Sequence, residues 1–327
     1  MISTQPVSGR ITAEISTDRA LGALYGLAIG DALGMPTQEL DRARARAILG
    51  SPARFRDAPA DNPISHSLPA GSVTDDTLQC LLIANLLIAG GGTIEAQGLA
   101  EALLAWEREM AERGRADLLG PSTKRALAAV AAGDDPSRTG RSGTTNGAAM
   151  RITPVGIATP GEPLERLLAA VVAADQVTHD TDVAHAGAAA VAAVVSAGVG
   201  GENFEAAAPR AIRAAGHFGF ADLFEEALRL DSVDAIVDRF GTGVETAESV
   251  PTAFGLARLS RGDAWEACTR AAALGGDTDT IAALAGAMVG ACTGLSALPP
   301  GAVRKVREIN NLDLEPLVDG LLALRKQ

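Results

Sequence analysis

The chain has 327 residues, a formal net charge of −12, and 47% hydrophobic but only 3% aromatic residues. This length suffices for a large core, in one large domain or two smaller ones, built mainly from alanine, leucine, valine and glycine. The acidic balance argues against nonspecific binding to nucleic acid or anionic membranes. The three cysteines show no disulfide or metal-binding spacing, which favours a reducing, cytoplasmic location.

The first predicted helix covers residues 17–34 and follows a flexible leader over residues 1–16. Glycine recurs every four residues from Gly22 to Gly34, along one helix face. Each glycine costs a helix roughly 0.5–1 kcal/mol relative to alanine, so the stripe predicts close contact with another helix. Asp31 lies near the end of this helix, where a negative charge is unfavourable. We therefore expect its carboxylate to be paired with a basic residue or to lie near a metal site.

A first acid cluster stands at the start of a second helix. Thr74, Asp75 and Asp76 precede a run over residues 78–88 that is apolar almost all round, which predicts a helix in the middle of the protein. Helix capping by the threonine explains one cluster of this kind. Two buried carboxylates, however, repel each other unless a cation lies between them.

A second acid cluster has the same composition. Asp277, Asp279 and Thr280 also open an apolar helix, predicted over residues 279–293. Together the two clusters offer four carboxylates and several hydroxyls. Oxygen ligands of this kind suit a hard divalent cation such as Mg²⁺, Mn²⁺ or Ca²⁺, and four acids are enough for two ions.

The remaining pattern is helical, and no run of alternating β-branched residues is long enough for a sheet. The apolar tract over residues 184–200 suits a soluble helix better than a membrane span, because its residues are small and include His185. Composition does not change along the chain, so residues 17–327 are predicted to form one compact all-α domain. The further helices are predicted over 93–113, 124–132, 162–175, 182–198, 202–215, 219–230, 246–260 and 263–274, with a last one past Asp313.

Two polar stretches interrupt this pattern. A loop over residues 133–151 contains Gly143, Asn146 and Gly147, and its backbone N–H groups and hydroxyls suit phosphate or sugar hydroxyls. The break over residues 177–182 carries His179, which capping of the next helix does not explain.

Five motifs in order resemble the ADP-ribosylglycohydrolase family, which includes the dinitrogenase-reductase-activating glycohydrolase. The resemblance extends from residue 22 to about 290 and implies a compact all-α bundle with a binuclear magnesium site in a central cleft, with Mn²⁺ as an alternative metal. The motifs are residues 22–36, 74–77, 146–151, 178–179 and 275–280.

The resemblance also implies roles for individual residues. Those expected to bind metal, from the two sides of the cleft, are Thr74, Asp75, Asp76, Asp277, Asp279 and Thr280. Those expected to contact ADP-ribose are Gly143, Asn146, Gly147 and His179, with Gly276 beside the ribose whose bond is cut.

One position departs from the family pattern and affects the catalytic base. Many members have Pro-x-Glu after the first glycine motif, whereas here Pro36 is followed by a threonine and Gln38, with Glu39 one place later. The candidate catalytic carboxylates are therefore Glu39, through a local shift, Asp117, by approximate position, and Asp76 within the metal site.

These observations predict a Mg²⁺-dependent hydrolase of a glycosidic bond at C1 of a ribose. The favoured reaction removes ADP-ribose from a protein or small-molecule acceptor, by attack of water at that carbon. One alternative is a nucleosidase-like hydrolase of another N-riboside. The other is a non-catalytic ADP-ribose-binding or structural protein of the same fold, which would have little need for so many buried acids.

Overall fold

The computed structural model describes residues 7–115 and 118–327, and over these ranges it contains helices, turns and two isolated β-bridges but no strand. The all-α prediction is therefore confirmed. In chain order the helices are α1 (Val7–Gly34), α2 (Arg42–Leu49), α3 (Asp75–Ala89), α4 (Ala96–Glu112), α5 (Pro121–Ala131), α6 (Gly147–Met150), α7 (Thr153–Ala158), α8 (Leu164–Asp175), α9 (Asp182–Val199), α10 (Phe204–His217), α11 (Ala221–Ala227), α12 (Val233–Phe240), α13 (Thr246–Leu259), α14 (Ala264–Ala272), α15 (Thr278–Thr293), α16 (Pro300–Asn310) and α17 (Glu315–Arg325).

The long apolar helices lie where the sequence predicts them, and the differences concern ends and short elements. Helix α1 begins at Val7, so the predicted boundary between leader and domain at residue 17 falls inside a helix. Helices α2, α6, α7, α12 and α16 were not predicted. Such short segments are marginal by propensity and depend on packing for their stability, so local periodicity does not reveal them.

Helices α1 and α15 form the centre of the bundle, and the glycine stripe is where they meet. A Cβ atom on Gly26 would overlap the carbonyl group of Gly286, and one on Gly30 would overlap that of Ala282. The predicted close helix contact is confirmed. Its partner is the helix that opens with the second acid cluster.

Helix α9 packs against α10 and α15 in the same core. It is long and apolar enough to cross a membrane by length and composition. Its side chains over residues 184–199 are nevertheless buried inside the protein, His185 among them. The apolarity of α9 is thus the apolarity of a core helix.

The C-terminal end of α1 meets the starts of both helices that carry acids. Asp31 contacts the first turn of α3 through hydrogen bonds, and Gly34 packs against the backbone of Asp279 in the first turn of α15. The two acid clusters, about two hundred residues apart in the chain, are brought together by their shared contact with α1.

Candidate active site

The site begins with Asp31, whose carboxylate is completely buried and accepts hydrogen bonds from four donor groups at the start of α3. Thr74 donates its backbone N–H over 3.0 Å and its hydroxyl over 2.9 Å, and Thr77 donates the same two groups over 3.1 and 2.5 Å. Burial raises the pKa of Asp31 to about 6, against the lowering effect of these bonds. Its partners are thus N–H and O–H donors beside the acid cluster, not a basic residue.

The hydroxyl of Thr74 does not cap its helix, contrary to the capping interpretation. It makes no hydrogen bond to the N–H groups of the first turn of α3. It lies between two carboxyl groups, 2.9 Å from Oδ1 of Asp31 and 3.1 Å from Oδ2 of Asp76. The first turn of α3 is therefore held from outside, by the end of α1.

The four acids of the two clusters are all buried and lie within each other's electrostatic field. Burial, followed by the negative charge of Asp31, raises the pKa of both Asp75 and Asp76 well above the usual range. Burial and the charges of Asp76 and Asp277 do the same to the pKa of Asp279. Within the described parts of the chain, no lysine or arginine forms a hydrogen bond with these four carboxylates, so no basic side chain in contact with them neutralises their charge.

A cavity of about 350 Å³ opens onto these acids. One side is formed by Asp75, Asp277, Asp279 and Thr280. The second side is the loop that leads into α6, with Thr145, Asn146 and Gly147, and the third carries Gln38, Glu39, Pro63, Ile64, Leu118 and Leu119. Six predicted site residues besides Glu39 thus line one cavity, namely Asp75, Asn146, Gly147, Asp277, Asp279 and Thr280, whereas Thr74 and Asp76 are not in its lining.

Glu39 is exposed at the cavity and is held by its backbone. Its N–H donates to the carbonyl oxygen of Gly276 over 2.7 Å, and the N–H of Gly276 donates to that of Leu40 over 2.9 Å. The backbone of Glu39 has φ of 58°, a conformation that is uncommon outside glycine. Its negative charge is one of the causes that raise the pKa of Asp277 in the second cluster. Asp117 lies outside the described residues.

Asn146 joins the polar loop to the second cluster. Its amide nitrogen donates to Oδ2 of Asp277 and, over 2.8 Å, to the hydroxyl of Ser249. Burial raises the pKa of Asp277 to about 6, and the bond from Asn146 opposes this shift. The amide therefore stabilises the ionised form of a carboxylate that lines the cavity.

His179 and Gly143 lie behind the cavity wall. His179 is completely buried, and its Nε2 lies 3.1 Å from the hydroxyl of Thr145, which does line the cavity. Gly143 packs against the backbone of Thr178 and His179, and a Cβ atom on Gly147 would lie 2.7 Å from Cε1 of the imidazole. Contact of these two residues with ADP-ribose stays a prediction, as does that of Gly276, which supports Glu39.

The oxygen donors at the two helix starts fit a divalent cation. One oxygen each of Asp76 and Asp279, Oδ1, is buried without a hydrogen-bond partner, which is costly unless another group binds it. Across residues 7–115 and 118–327, no three His, Cys, Asp or Glu side chains converge closely enough to hold an ion alone. Mg²⁺ is usually bound by one or two carboxylates and keeps several water ligands. One or two of these carboxylates, with threonine hydroxyls and water, would therefore complete its coordination shell.

Sequence reasoning did not assign several residues that shape the site. Thr77 and Gln79 share α3 with the acids, Thr145 lines the cavity, and Arg151 lies completely buried behind it. One signal was available: Gln79 follows Asp75 by four residues, which places the two side chains on the same helix face.

Comparison with known proteins identifies the family and agrees with the fold. The ADP-ribosylglycohydrolase family model matches residues 12–327. The chain is 33% identical to YegU of Escherichia coli (strain K12), over 96% of this chain and 99% of that protein. It is 31% identical to the ADP-ribosylarginine hydrolase Tri1 of Pseudomonas putida (strain GB-1), over 96% and 83%. A solved ADP-ribosylglycohydrolase-related protein complex superposes with a TM-score of 0.71 at 29% identity, over 95% of this chain and 99% of that one.

The fold and the family match define a hydrolase of glycosidic bonds. The chain belongs to the ADP-ribosylglycohydrolase family. Its activity is that of an ADP-ribosyl glycohydrolase, and ADP-ribosylated molecules are the kind of substrate that the family implies.

Proposed function

We propose that this chain cleaves the bond between C1 of the ribose and the acceptor in an ADP-ribosylated substrate, with Mg²⁺ held by both acid clusters. The observation that carries the proposal is the meeting of the starts of α3 and α15 at one cavity. Three buried acids, Asp75, Asp277 and Asp279, line it, and one oxygen each of Asp279 and of the neighbouring Asp76 has no partner. A catalytically silent protein gains nothing from this concentration of negative charge, which destabilises its fold.

The proposed metal site holds two ions, with Mn²⁺ able to replace Mg²⁺. When bound, the metal would supply charge stabilisation and orientation of the ribose hydroxyls. The residues that would hold it share an oxygen donor and a place in the first turn of a helix or beside it: Thr74, Asp75, Asp76, Asp277, Asp279 and Thr280.

The other residues of the cavity orient groups and move a proton. Asn146 holds Asp277 in its ionised form, and Thr145 and Gly147 offer a hydroxyl and a backbone to the ADP-ribosyl group. Glu39 is the proposed general base, because the bridge to Gly276 fixes its backbone at the rim. It would take a proton from the water that attacks C1, while the acceptor leaves with the bonding electron pair and gains a proton.

We propose an arginine-linked ADP-ribosyl group as the first acceptor to test, because a relative named for this activity matches most of the chain. The test measures release of ADP-ribose from arginine-, serine- and base-linked substrates, together with simple nucleosides. We expect hydrolysis of an ADP-ribosylated substrate in Mg²⁺, loss of activity in chelator, and recovery when Mg²⁺ or Mn²⁺ is restored.

Two results would contradict the proposal. Full activity of a chelated, metal-stripped enzyme would exclude the metal role. Cleavage of simple nucleosides without cleavage of any ADP-ribosylated substrate would move the activity to the nucleosidase class. Asp61→Asn, at an exposed carboxylate paired with Arg44, is the control and should leave activity unchanged.

A further inference from the structure

Arg151 is a completely buried arginine for which neither the proposed metal site nor the cavity lining accounts. No carboxylate lies within ion-pair distance of its guanidinium in the described part of the chain. Burying a cation without such a partner is costly, so we expect the hydrogen bonds of this guanidinium to serve a purpose besides stability. One of those bonds goes to the carbonyl oxygen of Ala174 over 3.3 Å, and the other two lead in two directions to the candidate active site.

The first direction leads to the first acid cluster. Nη1 of Arg151 donates to Oε1 of Gln79 over 3.2 Å. Because the carbonyl end of the Gln79 amide is thereby fixed, its Nε2 faces Asp75, and it lies 3.5 Å from Oδ2 of that carboxylate. Arg151 thus determines that Gln79 presents a donor to a proposed metal ligand.

The second direction leads to the loop side of the cavity. Nη2 of Arg151 donates to the hydroxyl of Thr178 over 2.6 Å, and that hydroxyl lies 2.7 Å from Nδ1 of His179. A hydroxyl that accepts from a guanidinium keeps its own proton to donate, and the tautomer assigned below has this proton donated to Nδ1. In that arrangement the ring proton is on Nε2, which lies 3.1 Å from the hydroxyl of Thr145 in the cavity wall and would donate to it.

We propose that Arg151 is a positioning residue that sets both sides of the site at once. Through Gln79 it orients the carboxylate of Asp75, and through Thr178 it fixes His179 in the Nε2–H tautomer behind the cavity wall. The assignment of Mg²⁺ and ADP-ribose as the affected ligands rests on the proposed function. The tautomer itself does not rest on it.

Variants of single bonds separate the two directions. Binding of Mg²⁺ and, at saturating Mg²⁺, of ADP-ribose is measured by calorimetry on the full chain. We expect Gln79→Leu to weaken Mg²⁺ binding about 10-fold and leave ADP-ribose binding unchanged, because a residue that orients a ligand typically contributes 10–100-fold. Thr178→Val should weaken ADP-ribose binding by a similar factor and leave Mg²⁺ binding unchanged. Arg151→Met should weaken both, and Arg151→Lys should restore part of one or both.

A spectroscopic readout reports the tautomer directly. The chain has four histidines, so the two ring nitrogens of His179 can be assigned in ¹⁵N spectra by comparison with a His179→Gln variant. The spectra should show a single Nε2–H form in the parent protein and in Gln79→Leu. They should show a mixture of tautomers in Thr178→Val and in Arg151→Met. A role in packing alone would not produce this division.

Arg325→Met is the matched control. Arg325 is partly buried and donates to the carbonyl oxygens of Gly156, Ile157 and Thr159, away from the cavity. Its loss should lower the melting temperature without changing either affinity. The inference is overturned if Arg151→Met keeps both affinities and the parent tautomer, or if Arg325→Met changes the affinities in the same way.

If Arg151→Met does not fold, Gln79→Leu and Thr178→Val decide the matter, and unchanged binding in both overturns the inference. A parent protein that binds neither Mg²⁺ nor ADP-ribose would instead overturn the proposed function, while the ¹⁵N spectra would still test Arg151.

Discussion

Thr74 donates both its backbone N–H and its hydroxyl to the carboxylate of Asp31. A residue of α1 therefore anchors the start of α3, the helix that carries the first acid cluster. The same α1 packs along α15, which carries the second cluster. One buried carboxylate therefore fixes the position of two others, and its removal should affect both stability and metal binding.

We predict that Asp31→Asn lowers the free energy of unfolding by about 3 kcal/mol, because the new amide nitrogen faces donors of Thr74 and Thr77 that lose an ionised acceptor. Urea unfolding in chelator measures the effect. Asp61→Asn, at an exposed ion pair, should change stability by less than about 0.5 kcal/mol. Equal effects of the two substitutions would show that the buried hydrogen bonds of Asp31 do not hold α3.

We predict that Asp76→Asn and Asp279→Asn leave the metal-free fold intact and raise its melting temperature. Each substitution removes a buried carboxyl group whose charge the other acids oppose. Each should also lower hydrolytic activity by orders of magnitude at a Mg²⁺ concentration that saturates the parent enzyme. Near-parental turnover in either variant would remove that residue from the proposed metal ligands.

Asp175 should make the stability of the protein depend on pH. Burial raises its pKa to about 8, although the charge of Arg151 opposes the shift. Between the unfolded pKa of about 3.9 and this value, the folded state holds a proton that the unfolded state has released, so stability falls as pH rises through this window.

The measurement compares urea unfolding of the parent and of Asp175→Asn at several pH values from about 4 to about 8 in chelator. Asp31 and Asp277, with pKa values raised to about 6, contribute a decline to both proteins, so the difference between the two curves isolates Asp175. We expect the curve of the variant to be flatter. Parallel curves would mean that Asp175 titrates at its ordinary pKa.

The general base is tested by Glu39→Gln. Because a general base typically contributes 10²–10⁴-fold, we expect a loss of roughly two orders of magnitude or more in kcat with little change in Mg²⁺ affinity. Asp117→Asn is the comparison and should lose much less activity. An unchanged kcat in Glu39→Gln, together with a large loss in Asp117→Asn, would transfer the role to Asp117.

Much of the fold could be predicted because its evidence is local. A helix apolar on all sides must be buried, and glycine at every fourth position indicates a close helix contact, so the all-α class and the α1 contact followed from periodicity. The ends of elements did not follow in the same way. The short helix α12 lies against the better-marked α13, and both α12 and α2 have little intrinsic stability of their own.

The sequence by itself determined the chemistry of the site: two clusters of acids and hydroxyls, each at the start of an apolar helix, and a polar loop with Asn146. Only the tertiary structure decided how these parts are connected. It placed Asp31 under the first cluster, His179 behind the wall and Arg151 between Gln79 and Thr178. The reason is physical: the type of a side chain and its local spacing are written in the chain, whereas a hydrogen bond between residues far apart depends on how the helices pack.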